Sequence, residues 1–110
     1  METHKNASSL QEKTLRFRFT DGPMKGKDFD HVFHRNGKVD WGAAESKQTT
    51  ESDGELVGIG DDCYVGSYMG SNGFTLTTAL NVATGKLVAF ASNGKEWSRH
   101  EGTVSVFEPV

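Results

Sequence analysis

A histidine between two phenylalanines is the first residue of the sequence that could do chemistry. Phe29, His31 and Phe33 alternate along one face of a predicted strand, which directs His31 toward the core. An imidazole titrates near neutral pH, so inside a barrel it could orient an acidic group of a ligand or act as a general base. It could equally be a core histidine bonded to a Tyr or Thr of a neighbouring strand.

Two tyrosines form the second candidate group. Tyr64 and Tyr68 lie four residues apart on one predicted strand and share a face with Gly66. If that face is the inner one, as we expect, the two phenol hydroxyls could clamp a carboxylate or a carbonyl group. If Cys63, Val65 and Met69 face inward instead, the tyrosines are external and could cover an interface.

Two tryptophans are candidates for the ends of the fold. Trp41, in phase with Val39, is predicted to close one end, and Trp97, in a predicted loop over residues 93–101, to cover a mouth. Structural plugging is the simpler role for both. The predicted ligand-binding residues are His31, Trp41, Tyr64 and Tyr68.

Metal, cofactor and nucleophile signatures are weak. His31 and His34 leave opposite faces of a strand, and Cys63 is the single cysteine, so we expect no metal site. The run Gly58–Gly60 lacks the third glycine and following helix of a dinucleotide-binding loop. The sequence therefore predicts no cofactor and identifies no catalytic residue.

Alternating polar and apolar residues define the elements that must position these side chains. Turn signals separate eight short runs, and Asn36-Gly37 is the strongest hairpin signal among them. The predicted strands are 15–20, 27–35, 38–41, 55–60, 63–69, 74–82, 86–92 and 102–107. The polar stretch Ala43 to Gly54 is predicted to be the longest loop or a short surface helix.

The predicted fold is all-β, a small antiparallel up-and-down barrel of about eight strands. The interior of such a barrel is either filled or holds one small ligand. Residues 1–13 lack periodicity and are predicted to be a disordered leader, which leaves residues 14–110 as a single barrel domain.

Composition limits the classes of partner. The 110 residues carry 15 acidic and 12 basic side chains, a formal charge of −3, which disfavours nucleic acid. No apolar run approaches the ~20 residues of a spanning helix. With one cysteine and no visible signal peptide, we expect a cytoplasmic protein.

An ordered set of short motifs runs along the chain. The motifs are Phe17 to Gly26 (FRFTDGPMKG), Asp62 to Tyr68 (DCYVGSY), Gly73 to Thr77 (GFTLT), Ala83-Thr84-Gly85 and Ala91-Ser92-Asn93. Together they resemble the MoaF-like domain, over residues 15 to 103. The resemblance implies a calycin, or lipocalin-like, barrel of bacterial origin. The name of the family comes from molybdenum cofactor biosynthesis, and its larger members join two such domains. No catalytic set comes with it.

Three functions follow as hypotheses. The first is a barrel that binds a small, partly apolar molecule inside. The second is an enzyme similar to the phenolic acid decarboxylases, in which Tyr64 and Tyr68 hold a carboxylate and Arg18 or His31 assists. The third is an interaction module. A homodimer is also predicted, because Leu87 to Phe90 is apolar on both faces and residues 63–83 carry few charges.

Overall fold

A computed structural model of the chain describes residues 10–46 and 48–108. The described residues form eight β-strands and one short 3-10 turn, Ser71–Gly73. The strands are β1 Thr14–Phe19, β2 Asp28–Phe33, β3 Lys38–Ala43, β4 Thr50–Gly60, β5 Cys63–Met69, β6 Thr75–Asn81, β7 Lys86–Ser92 and β8 Trp97–Phe107.

The eight strands close into a barrel. Each strand pairs antiparallel with the next along the chain, and β8 returns to β1, from Thr14 opposite Phe107 to Phe19 opposite Gly102. Closure gives every strand two neighbours, so none of the eight is an edge strand. The all-β, eight-stranded, up-and-down barrel predicted from the sequence is confirmed.

The connection between β2 and β3 shows how a turn residue sets the register. Gly37 adopts the left-handed conformation with φ +82°, and His34 N donates to Lys38 O at 2.8 Å. The Asn36 side chain accepts a hydrogen bond from Lys38 N at 3.1 Å. The predicted hairpin forms, with three residues between the hydrogen-bonded His34 and Lys38. One of the three is left-handed, whereas a type I′ turn has two connecting residues that are both left-handed.

Alternation along each strand divides the core from the surface. Leu15, Phe17 and Phe19 are buried inside the barrel, while Arg18 lies outside and donates two hydrogen bonds to Asp28. The other strands follow the same rule. Their buried inward residues are His31, Phe33, Val39, Leu56, Tyr64, Tyr68, Thr78, Leu80, Leu87, Ala89 and Val104.

The two ends of the barrel differ. We call the end at which β1, β3, β5 and β7 begin the closed end, and the end at which they finish the open end. The closed end is filled by Leu15, Tyr64, Leu80 and Leu87, each at most 4% exposed. Leu10, only 6% exposed, packs against the same core from a turn that precedes β1.

A turn over residues 10–13 lies within the stretch predicted to be a leader. Glu12 N donates to Phe33 O at 2.9 Å, and Lys13 N to Leu10 O at 3.2 Å. Leu10 is buried on the core, so contacts with the barrel core extend at least as far back as Leu10. The rest of the predicted leader, residues 1–9, lies outside the described residues.

Half of the stretch predicted as the longest loop is β-strand. Residues 50–53 pair with β3, from Lys38 opposite Asp53 to Trp41 opposite Thr50, and Gly54 pairs with Tyr68 of β5. The sequence shows no alternation here because none of these five residues carries an apolar side chain, and Thr50, Glu51 and Asp53 are exposed. The prediction of a loop or surface helix is therefore wrong for residues 50–54.

Trp97 also departs from its prediction. It is the first residue of β8 rather than a loop residue, and it is 69% exposed. Its ring stacks on Phe90 on the outside of the barrel, with ring centroids 5.9 Å apart. Trp97 therefore covers an outer face and not a mouth.

An apolar row crosses the outer face of four strands. Val57, Val65, Ala79 and Val88 are register partners in turn on β4, β5, β6 and β7. Val57 is 49% exposed. This face is where we expect the predicted homodimer to form, and the dimer stays a prediction. Sedimentation at micromolar concentration would test it. A single 12.0 kDa species would contradict it.

Within the described part of the chain, no helix is long and apolar enough to span a bilayer.

Candidate ligand-binding site

A cavity of about 240 Å³ lies at the open end of the barrel. Seven of its twelve lining residues carry flat rings, and none of the twelve is Asp, Glu, Lys or Arg. The lining residues are Phe19, Met24, Phe29, His31, Trp41, Tyr68, Gly70, Ser71, Phe74, Leu76, Ala91 and His100. An apolar, ring-lined cavity with a few polar atoms is the usual composition of a small-molecule site.

The strand ends explain why these side chains meet. Trp41, Tyr68 and Ala91 face inward near the last residues of β3, β5 and β7, which all finish at the open end. Two connections complete the lining. Met24 comes from the segment between β1 and β2, and Phe74 from the segment between β5 and β6.

A buried hydrogen bond joins two of the predicted site residues. His31 Nε2 lies 2.8 Å from Tyr68 Oη, and the two residues are 1% and 6% exposed. The imidazole also stacks on Phe17, with ring centroids 4.1 Å apart. The sequence left open that His31 is a core histidine bonded to a tyrosine of another strand. The structure has this contact, and it lies at the cavity wall.

Burial sets the protonation state of both groups. Loss of hydration lowers the pKa of His31 to about 4, so the imidazole is neutral at pH 7. The same cause raises the pKa of the Tyr68 phenol above its ordinary value of 10.0. Either tautomer of His31 leaves the Tyr68 oxygen with unused hydrogen-bonding capacity, as a donor or as an acceptor.

Trp41 is held in place by the part of β4 that the sequence did not predict. Its indole Nε1 donates to Ser52 Oγ at 3.0 Å. The indole and the Tyr68 ring lie 5.5 Å apart at an interplanar angle of 37°. The structure therefore brings three of the four predicted residues, His31, Trp41 and Tyr68, to one cavity.

Tyr64 does not reach this cavity. It faces inward, as expected, but it is 1% exposed in the core and borders a separate groove near the closed end. The space at Gly66 is already occupied, since a Cβ there would lie 3.0 Å from both Phe33 and Leu56. Packing thus takes up the gap that the sequence suggested for a ligand between the two phenols.

His100 is a lining residue that the sequence analysis missed. It faces inward near the start of β8, and its Nε2 lies 2.9 Å from Ser98 Oγ. Its Nδ1 is buried without a hydrogen-bond partner in the described structure, close to Gly22. The predicted last strand began at residue 102, and the polar residues 98–101 gave no apolar alternation that could have placed His100.

His34 bridges two carboxylates on the outside of the closed end. Its Nδ1 lies 2.7 Å from Glu12 Oε1 and its Nε2 2.9 Å from Asp40 Oδ2. The hydrogen bonds to Asp40 and then Glu12 raise the pKa of His34. The carboxylates bind opposite edges of the ring, so they do not converge on one point. Among the described residues, no group of three or more His, Cys, Asp or Glu side chains is arranged to hold a metal ion.

Comparison with known proteins finds a similar fold and no closer relationship. No protein-family model and no curated protein matches the chain. A crystal structure from Burkholderia vietnamiensis, described as that of a "putative beta-lactamase", superposes with a TM-score of 0.70. The match covers 96% of this chain and 99% of that one at 14% sequence identity, which shows a shared barrel fold and nothing more.

Proposed function

We propose that the protein binds a small, mostly apolar molecule in the open-end cavity. The observation that carries this proposal is a ring-lined cavity of about 240 Å³ with a tethered phenol at its wall. An apolar cavity of ~150 Å³ is enough to bind benzene. The larger volume here has room for one ring with a short substituent.

The decarboxylase alternative receives less support. It needs Tyr64 and Tyr68 on one carboxylate with a cation nearby, but Tyr64 borders a different groove. Arg18 faces outward and is engaged by Asp28 at 2.7 and 2.9 Å. Neither the second phenol nor the guanidinium is placed to hold a carboxylate in the cavity.

The chemistry named for the Burkholderia protein is not proposed for this chain. Ser71 is the serine of the cavity lining, and the residue three positions on is Phe74 rather than the lysine of a serine beta-lactamase motif. Among the lining residues there is no lysine or carboxylate to activate its hydroxyl.

We extend the proposal to the class of barrel. The closed up-and-down topology and the motifs quoted above support a divergent calycin, or lipocalin-like, barrel of the MoaF-like type from a bacterium. The single cysteine, Cys63, which is free, supports a reducing, cytoplasmic location.

Native mass spectrometry of freshly purified protein tests the proposed function. We expect a species heavier than the bare chain by the mass of one small molecule. Ala91→Leu, which fills the cavity, should remove that species, whereas Ala79→Leu on the outer face should keep it. If wild type carries no such species and does not bind added toluene, the interaction-module alternative becomes the better account.

A further inference from the structure

The chemistry of the cavity lining specifies a class of ligand. Resting on the proposed function, we propose that the cavity selects uncharged, flat aromatic molecules with a single hydrogen-bonding group and rejects carboxylates and ammonium ions. Three properties of the lining support this selection: its charge, its shape and the fixed position of the Tyr68 oxygen.

The first property is the lack of a countercharge. None of the twelve lining residues is Asp, Glu, Lys or Arg. The nearby arginines point outward. Arg16 donates two hydrogen bonds to Asp30, and Arg18 donates two to Asp28. A buried charge without a partner is costly, so an ionised ligand would lose its hydration without compensation.

The two histidines of the lining are engaged by other protein groups or buried. Burial keeps His31 uncharged, since its pKa is about 4. His100 uses Nε2 toward Ser98, and its Nδ1 is buried against Gly22. Each imidazole thus directs one nitrogen to a protein partner and keeps the other nitrogen buried.

The second property is the flatness of the walls. Trp41 and Tyr68 form one ring pair, with centroids 5.5 Å apart, and Phe19 and Phe29 form another, with centroids 5.9 Å apart. Aromatic rings pack best against other rings, in offset-stacked or edge-to-face arrangements. A planar ring should therefore fill this cavity better than a puckered one of equal size.

The third property is the fixed position of the Tyr68 oxygen. His31 Nε2 lies 2.8 Å from this oxygen and makes one hydrogen bond with it. The Tyr68 hydroxyl can make a further hydrogen bond to a ligand in the cavity. Two other polar atoms of the wall are also held by protein partners, Trp41 Nε1 by Ser52 and His100 Nε2 by Ser98. Among these three, the Tyr68 oxygen is the one that is fixed in position and can still make a hydrogen bond to a ligand.

Four probes of similar size separate these properties at pH 8: benzamide, benzoate, cyclohexanecarboxamide and toluene. Dissociation constants come from calorimetry with wild type and with Tyr68→Phe. We expect benzamide to bind at least about tenfold more tightly than isosteric benzoate and more tightly than cyclohexanecarboxamide. Tyr68→Phe should weaken benzamide about fivefold, the worth of one hydrogen bond, and leave toluene unchanged.

The outcomes separate the ligand class from the proposed function. If benzoate or cyclohexanecarboxamide binds as tightly as benzamide, the selection proposed here is wrong, but the cavity is still a binding site. If Tyr68→Phe weakens toluene as much as benzamide, the phenol acts through packing and its role as the polar anchor is wrong. If none of the four probes binds at millimolar concentration, the proposed function itself is contradicted.

Discussion

The open and closed ends of the barrel are built from the same strands with the same alternation, yet they differ in packing. On β2, Phe33 near the closed end is 2% exposed, whereas Phe29 near the open end is partly exposed on the cavity wall. On β5, Tyr64 lies in the packed core, and Tyr68 presents its hydroxyl at the cavity.

The difference arises from what covers each end. The N-terminal turn places Leu10 on the core at the closed end. At the open end the connections contribute Met24 and Phe74 to the cavity wall and leave a void of about 240 Å³. Side chains therefore fill the closed end of the barrel and stabilise the fold there. The open end keeps a void in which a ligand would fit.

The largest expected effect comes from truncating the same residue type at the two ends of β2. Phe33→Ala should lower the free energy of unfolding by ~3 to 5 kcal/mol, because it opens a cavity in packed core. Phe29→Ala should cost much less, since its ring already borders empty space. Urea unfolding of both variants measures the contrast, and equal losses would contradict the assignment of a packed and an open end.

Acid should destabilise the protein through the His31 pair. The pKa of His31 falls from 6.5 to about 4 on burial, so the unfolded chain binds the proton more readily than the folded one. The contribution of neutral His31 to the free energy of unfolding is complete above pH 6.5. It is lost as the pH falls toward 4, which lowers the free energy of unfolding by ~3 kcal/mol in total. Unfolding free energies across this range should fall less steeply in His31→Leu. Parallel curves for the two proteins would show that another group is responsible.

Enlarging two alanines of β7 compares the ends on a single strand. Ala89 is fully buried, so Ala89→Leu should overpack the core and cost ~1 to 3 kcal/mol. Ala91, two residues along the same face, lines the cavity and should accept leucine with a change below ~0.5 kcal/mol. The midpoints of urea unfolding give both numbers. A large loss in Ala91→Leu would mean that the open end is already packed.

The smallest expected effect concerns the contacts that hold the N-terminal turn at the closed end. Hydrogen bonds to Asp40 and Glu12 raise the pKa of His34 above 6.5, so its stabilising charge is present below that pH and is lost as the pH rises through the folded-state pKa. The Glu12 pKa is lowered by His34 and by the Arg35 backbone N–H, so its contribution is lost as the pH falls below 4.5.

Because these groups are partly exposed, the effect should be a few tenths of a kcal/mol. His34→Gln measures it as a difference in unfolding free energy from wild type. That difference should be largest near pH 6 and should shrink by pH 9. A difference that does not change with pH would mean that the His34 charge contributes nothing.

Residue patterns predicted the barrel well because strand alternation and turns are local signals. The bounds of β5 and β7, and the inward face of β6, follow from runs such as Leu76, Thr78 and Leu80. The polar residues 50–54 gave no such signal, because pairing with β3 and β5 rather than burial makes them a strand.

The site was predicted in part for the same reason. Alternation directed His31 and Tyr68 inward, but how far along the barrel a residue lies depends on the register between strands. The sequence therefore could not distinguish Tyr64 from Tyr68 as a ligand-binding residue. The packing does, because Phe33 and Leu56 fill the space at Gly66 between them. The inward position of His100 follows from the pairing of β8 with β7, in which His100 lies opposite Ala89. The sequence alone does not show this pairing.

The two tryptophans provide the most direct test that the open end binds a ligand. Trp41 is on the cavity wall and Trp97 is on the outer face, and the chain has no other tryptophan, so each gives one indole N–H signal in a 15N NMR spectrum. During titration with benzamide, we predict a saturable shift of the Trp41 signal while the Trp97 signal stays in place. Equal shifts of both signals, or a shift of Trp97 alone, would contradict a binding site at the open end.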